Sequence, residues 1–315
     1  MQIIQKTTDF EIKGRSALTI GKFDGIHLGH QALLQYVTDK KTQGLMAVVF
    51  TFDPPPAVFF GFSNGQELMT REEKRAAFEK LGIDVLIEFP LTAETAAMAP
   101  RDFIQDILKN QLHTAYLAAG ADISFGDGGK GDYQLLKEMQ EQCGYQVEII
   151  DKVRYQGQII SSTAVRTRVE RGEMKEAAQM LGRPFSLSGR VVHGNRLGRT
   201  IGMPTANLLP SENKLLPPAG VYFSQIWVEG SLYRGITNIG CKPTVSDKKQ
   251  MGAETYIYDF SEDIYGKEIR IALLEFKRPE QKFSGLEELC KQMEKDLQDG
   301  REFFLTEAEG RRVAK

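Results

Sequence analysis

Between Ala17 and Ile150 the chain alternates short apolar runs of β character with longer helical stretches, and this alternation limits the fold more than any other feature. The runs are Ala17–Phe23, Leu45–Phe52, Ile83–Phe89, Tyr116–Ala119 and Tyr145–Ile150. Helices are predicted between them: at about Leu28–Lys41, across REEKRAAFEKLG, across RDFIQDILKNQL after Pro100, and over Asp132–Cys143. The punctuation agrees. Thr70 with Glu73 has the spacing of a capping box, and Gly44, Gly82 and Gly144 stand where helices stop. Strands joined by crossovers of this length pair in parallel. The first half is therefore expected to form an α/β, Rossmann-like parallel sheet that binds ligands at the carboxyl ends of its strands. DPPP, after the second run, suits neither a helix interior nor a central strand.

Past Arg183-Pro184 the pattern changes. LSGRVVHG, GVYFSQIWVEGSLYRGITNIG, ETYIYDF and EIRIALLEF are strand-like and separated by turns, and helical character returns only at about Gly285–Leu297. A small β-barrel with a C-terminal helix fits. We place the boundary near Phe185, with one domain over residues 1–185 and another over 186–315, and a length of 315 residues suits two domains.

The charge balance narrows the partners. With 40 basic and 42 acidic side chains the net charge is −2, which argues against a dedicated nucleic-acid binder. Cys143, Cys241 and Cys290 are scattered and form no CxxC pair, so they read as free thiols of a reducing compartment. Apolar runs such as MAVVFTF are too short to span a bilayer, and the N-terminus has no signal-like stretch. A cytoplasmic protein with small-molecule partners, neither nucleic acid nor membrane, is expected.

The segment GKFDGIHLGH takes the first strand through a turn into a helix. Gly21, Gly25 and Gly29 allow close backbone approach, and the helix start offers unpaired N–H groups to a phosphate. His27 and His30, three residues apart, face one side of that turn and can donate to phosphoryl oxygens as charge builds. A glycine-rich turn alone is weak evidence, but two of the chain's four histidines share this one. Further on, Ser161, Ser162 and Thr163 can cap a helix on which Arg166 follows one turn later. Taken alone that is a capped surface helix.

The second half carries GNRLGRTIGMPTAN. Gly194, Gly198 and Gly202 punctuate a loop with Arg196 and Arg199, a composition that can wrap phosphates. It runs through Pro204 to Thr205 and Asn207, whose hydroxyl and amide oxygens are hard ligands suited to Mg²⁺. Thr and Asn also simply organise turns, and Glu254, at the head of ETYIYDF, could be a solvated carboxylate.

The HxGH of GKFDGIHLGH resembles the signature of the nucleotidylyltransferases. The fuller string, with TFDPPP, GADISFG, ISSTAVR, TIGMPTAN, TNIGCKPTV, ETYIYDFSEDIYGKEI and FKRPEQKF, resembles the bifunctional bacterial riboflavin kinase/FMN adenylyltransferases, or FAD synthetases. The resemblance covers both halves in that family's order. It implies ATP, riboflavin, FMN and FAD as substrates or products, with Mg²⁺. It makes His27 and His30 stabilisers of the α-phosphate region of ATP, with Gly21, Phe23, Asp24, Gly25, Gly29, Ser161, Ser162, Thr163 and Arg166 around the nucleotide. Asp122, Phe125 and Gly126 fall on the family's D-x-x-F-G pattern, on the flavin side. In the second half it makes Glu254 the catalytic base, Thr205 and Asn207 the holders of Mg-ATP, and Arg278 and Phe283 part of a flavin-side loop. Pro55 and Ile123 depart from the family's usual histidine and aromatic.

The two halves suit different chemistry. A riboflavin hydroxyl is a weak nucleophile and needs a base, whereas an FMN phosphate is already an anion and needs alignment and charge stabilisation. Three rivals stand beside this reading. One is nucleotidyl transfer to another acceptor, which leaves the TIGMPTAN half unexplained. Another is a non-catalytic flavin or nucleotide sensor, which would not need to keep His27, His30, Asn207 and Glu254. The third is that only one half is active, the departures at Pro55 and Ile123 falling in the first. Trp227, alone in a strand-like run, reads as core rather than as a flavin stacker.

Overall fold

The computed structural model describes residues 1–194, 202–243 and 249–313. It divides into two compact units, Met1–Ala164 and Val165–Lys315.

The first unit is built on six parallel strands: β1 (Gln2–Gln5), β2 (Ser16–Ile20), β3 (Met46–Asp53), β4 (Val85–Pro90), β5 (Thr114–Gly120) and β6 (Gln146–Ile150), in the order β1-β4-β3-β2-β5-β6. Helices α1 (Leu28–Asp39), α3 (Arg71–Lys80) and α6 (Tyr133–Cys143) join them, with short α2 (Pro56–Phe59), α4 (Ala93–Ala96) and α5 (Pro100–Asp102) between, and a small antiparallel pair, β7 (Arg154–Tyr155) and β8 (Gln158–Ile159), follows. Both faces of the sheet are covered, which is why its strands read as continuous apolar runs. Leu18, Ile20, Val48 and Phe50 pack on one side with Phe103, Ile107 and Leu136. Ala17, Ala47 and Val49 pack on the other with Leu34, Val37 and Phe78. The capping box at Thr70 and Glu73 forms, and Gly44 and Gly144 close their helices in the left-handed region.

Two local features differ from the sequence reading, and the prolines after β3 behave as it expects. QIIQ forms β1, an edge strand beside β4, although its polar ends hid it. After α5 the helix over Phe103–Gln111 has π-type spacing. Pro56 opens the single turn of α2, where a missing N–H costs nothing.

The second unit begins with the end of α7 (Ser162–Glu170) and with α8 (Met174–Leu181). A closed antiparallel barrel follows: β9 (Phe185–Val192), β10 (Thr205–Leu208), β11 (Gly220–Val228), β12 (Ser231–Pro243), β13 (Lys249–Ile257) and β14 (Glu268–Pro279), ordered β10-β13-β12-β11-β14-β9. β9 starts at Phe185, where the sequence boundary lay, whereas compactness groups residues 165–184 with the barrel because α8 packs on β9 and β14. Buried Ser224, Thr237 and Thr255 form a chain of hydroxyl hydrogen bonds of 2.8 and 2.9 Å across three strands. On the alternate face, Val221, Phe223, Ile236 and Tyr258 pack against Phe304 of the C-terminal helix, Leu286–Val313. Trp227 is half-buried beneath the Arg270 guanidinium at 3.9 Å, neither deep core nor a bare stacking face.

Candidate active sites

In the parallel sheet the strand order reverses direction between β2 and β5. A crevice opens at such a switch point, at the carboxyl ends of the strands. GKFDGIHLGH follows β2 and GADISFG follows β5, so the topology sends both motifs to that one end.

The β2–α1 turn is unusual backbone: Phe23, Gly25 and Ile26 all have positive φ. Phe23 is fully buried, 5.1 Å from the His30 ring and edge-on to Phe78, which anchors the turn in the core. Buried Asp24 serves as a strut, its carboxylate accepting from Leu68 N–H at 2.7 Å and its carbonyl accepting from Ser162 Oγ at 2.8 Å. Ser161 Oγ accepts from Ala164 N–H, the expected cap. Thr163 is exposed, and Arg166 follows on α7 past the division between the units. At Gly21 a Cβ would crowd the Phe23 ring at 3.1 Å, and at Gly29 the His27 ring at 3.2 Å.

His27 caps α1, its Nδ1 accepting from His30 N–H at 3.2 Å, and its ring stacks on that of His30. Burial first, and then His27, holds His30 well below its ordinary pKa. A neutral imidazole carries one N–H, a donor that costs no charge burial. Among the described residues His30 Nδ1 is buried with no hydrogen-bond partner. It is a buried polar atom waiting for one.

On the β5 side, Asp122 is exposed and bound to Lys152 Nζ at 2.9 Å, which lowers its pKa. Phe125 lies in the core against Phe103, so its ring holds the loop rather than lining an opening. Gly126 has φ 70° and lies so close to Pro100 that a Cβ would sit 2.8 Å from its Cα. Ile123, one of the two departures, packs partly buried on the same core, and Pro55, the other, precedes α2.

In the barrel, register builds a second site. Asn207 on β10 stands opposite Glu254 on β13, which stands opposite Asn238 on β12. Cross-strand partners share a face. Thr205 Oγ1 donates to Glu254 Oε1 at 2.6 Å. Gly194 abuts this row, where a Cβ would lie 2.6 Å from Asn207 Cγ. Of the remaining loop residues, Gly202 and Pro204 are exposed, while Arg196, Gly198 and Arg199 lie outside the described residues. Beside the row is a cavity of about 340 Å³, lined by Pro204, Thr205, Ala206, Thr255 and Ile257 and by the turn 260–265. Tyr265 of that turn meets the His193 ring at 3.9 Å.

Arg278 has a partner on the C-terminal helix. Its guanidinium grips the buried Asp296 carboxylate of the C-terminal helix, with Nε at 3.0 and 3.1 Å from the two oxygens. Phe283 is half-buried just past β14. Sequence reading takes in the strings that hold Asn238 and residues 260–265 without giving them a role, and does not reach Asp296. Only pairing register or tertiary packing brings these residues in, and no local spacing announces that.

The FAD synthetase family model matches residues 9–164, and the riboflavin kinase model matches 181–304. A bifunctional riboflavin kinase/FMN adenylyltransferase of Listeria monocytogenes is 38% identical over 301 residues, covering 95% of each chain. The chain belongs to this family. Other bifunctional riboflavin kinase/FMN adenylyltransferases resemble it over similar lengths. That of Escherichia coli K12 is 38% identical over 91% of this chain and 92% of its own, and that of Bacillus subtilis 34% identical over 93% and 94%. A crystal structure titled macrolide-efflux protein, from Streptococcus pneumoniae, matches with a TM-score of 0.85 at 29% identity over 95% of this chain and 98% of that one. Among the described residues of this bifunctional riboflavin kinase/FMN adenylyltransferase family member, no helix is long and apolar enough to cross a membrane.

Proposed function

We propose that residues 186–315 phosphorylate riboflavin with ATP, and that residues 1–185 transfer AMP from a second ATP to the FMN formed, giving FAD and pyrophosphate. The observation that carries the kinase assignment is the row Asn207–Glu254 with Thr205 bonded to Glu254. Glu254 takes the proton of the riboflavin hydroxyl as its oxygen attacks the γ-phosphorus of ATP, and ADP leaves. The neighbouring cavity, with Pro204 and Thr205 in its wall, holds the nucleotide.

Thr205 and Asn207 offer hard oxygens beside a single carboxylate, and no cluster of three acidic, His or Cys side chains occurs among the described residues. That donor set fits Mg²⁺, which takes much of its coordination from substrate phosphates and water. Thr205 and Asn207 would hold it, and when bound it offsets charge on the transferring phosphoryl group.

In the first unit an FMN phosphate oxygen attacks the α-phosphorus, and the bond to the bridging oxygen of pyrophosphate breaks. No base is required. His27, His30 and the α1 start receive the developing charge, and the buried Nδ1 of His30 is the observation that supports this role. Asp122 and Gly126, in the loop after β5, support a flavin side of that site there. The three cysteines are free, which suits the cytoplasm.

A time course with riboflavin, ATP and Mg²⁺, with the flavins separated chromatographically, tests the division. FMN should rise and then give way to FAD. FMN alone would remove the role given to residues 1–185, and neither flavin would return the chain to the sensor reading.

A further inference from the structure

Where β14 ends the chain is held down at two points. Arg278 grips Asp296 on the C-terminal helix. Two residues later, Asn238 Nδ2 donates to Glu280 Oε1 at 3.1 Å. Asn238 is the register partner of Glu254, so the Glu280 carboxylate reaches back to the row that carries the proposed base.

A second observation concerns Gly240, two residues along β12 and therefore on the same face as Asn238. A Cβ there would lie 2.9 Å from the Glu280 carboxyl carbon, and closer still to Oε1. Gly240 is not among the glycines with positive φ. Its missing side chain therefore supplies space rather than backbone freedom, and Glu280 occupies that space. A glutamate on an exposed loop is ordinarily solvated. This one has a donor on one side and a fitted seat on the other.

We propose that Glu280, Asn238 and Gly240 form a latch that holds residues 279–285, Phe283 among them, against the flavin side of the kinase site, making Glu280 a positioning residue for riboflavin. The proposal rests on reading Glu254 as the kinase base. A segment ordered before the flavin arrives need not be ordered by it, so its ordering cost is absent from binding. Without the latch, the binding-competent arrangement is one population among several, and apparent affinity falls in proportion. Chemistry at saturating riboflavin is unchanged, because Glu280 touches no reacting atom.

The test is steady-state kinetics of FMN formation by the full chain. Glu280→Ala should raise the KM for riboflavin about tenfold, as expected for a lost hydrogen bond to a charged group, with kcat held within about twofold. Glu280→Gln keeps an acceptor for Asn238 and should stay near wild type. Gly240→Ala, which displaces the carboxylate, should reproduce Glu280→Ala. In the double variant Gly240→Ala should add little, because the carboxylate is gone and the Cβ then meets only the Asn238 Nδ2 end, at 3.2 Å, on a side chain released from its acceptor. An unchanged riboflavin KM in Glu280→Ala, or a double variant clearly worse than Glu280→Ala, overturns the latch. Glu254→Gln, assayed alongside, separates the two readings: if it retains kinase activity the base assignment fails, and if it is inactive while Glu280→Ala is silent only the latch fails.

Discussion

The rings of His27 and His30 stack with centroids 3.7 Å apart and planes 15° from parallel. The pair is set by the turn that precedes it, because His27 caps the helix through the N–H of His30. Truncating either ring removes both a donor and a packing surface. His30→Ala should lower FAD formation from supplied FMN by about 10²–10³-fold, the cost of losing one oxyanion donor, and leave FMN formation from riboflavin intact. Pyrophosphate release and flavin chromatography read the two steps separately. An unaltered rate of FAD formation would remove His30 from the chemistry.

Glu254→Gln should have the reciprocal effect. It preserves the shape of the Asn207–Glu254–Asn238 row but cannot accept a proton, so FMN formation should fall by about 10²–10⁴-fold. Adenylylation of supplied FMN should continue at the wild-type rate. Loss of both activities together would show instead that the row supports the fold.

The depressed pKa of His30 makes stability depend on pH in a stated direction. Below the ordinary value of 6.5 the unfolded chain binds a proton at this residue that the folded chain refuses. The contribution to stability is fully present above pH 6.5 and is lost as the pH falls toward the lowered folded value. Denaturant unfolding of wild type and His30→Asn between pH 7.5 and 5 should differ in slope by up to about one proton, the variant being flatter. Equal slopes would mean that His30 titrates normally.

Arg278 and Asp296 form an ion pair whose aspartate is only 4% exposed. Arg278→Ala leaves that carboxylate buried with Gln292 as a remaining donor, which should cost about 3–5 kcal/mol. The double change Arg278→Leu with Asp296→Leu should recover much of the loss, since no charge is then stranded. If Arg278→Ala instead leaves the melting temperature unchanged and raises only the riboflavin KM, its guanidinium belongs to the flavin rather than to the helix.

The parallel sheet was legible because its strands are buried on both faces and announce themselves as uniform apolar runs. Ala47, Val48, Val49 and Phe50 are all wholly buried. The helix ends were legible because Thr70 with Glu73, Gly44 and Gly144 act on their own neighbours. β1 was not, since QIIQ is an edge strand whose pairing is decided by β4, some eighty residues away. The same holds for the sites. His27 lies close in sequence to His30, and Thr205 to Asn207, so each pair could be read as a unit. The neighbourhood of Asn238, Glu254 and Glu280 depends on how β12 and β13 align and on where the chain runs after β14. Arg278 shows a further limit: a residue type suited to a ligand is equally suited to a buried carboxylate, and only packing decides which it meets.

Among the described residues, β10 meets β9 at Asn207↔Val192 and Leu208↔Val191, whereas it meets β13 along all four of its residues. The ladder that closes the barrel is thus at its shortest beside the strand that carries Thr205 and Asn207. If the barrel breathes, its least expensive opening is a parting of this seam, with the β11–β14 and β12–β13 ladders left whole. Amide protons along β10 that face β9 should therefore exchange with solvent well before those of β11. The kinase half can then loosen around its substrates without risking the rest of its fold.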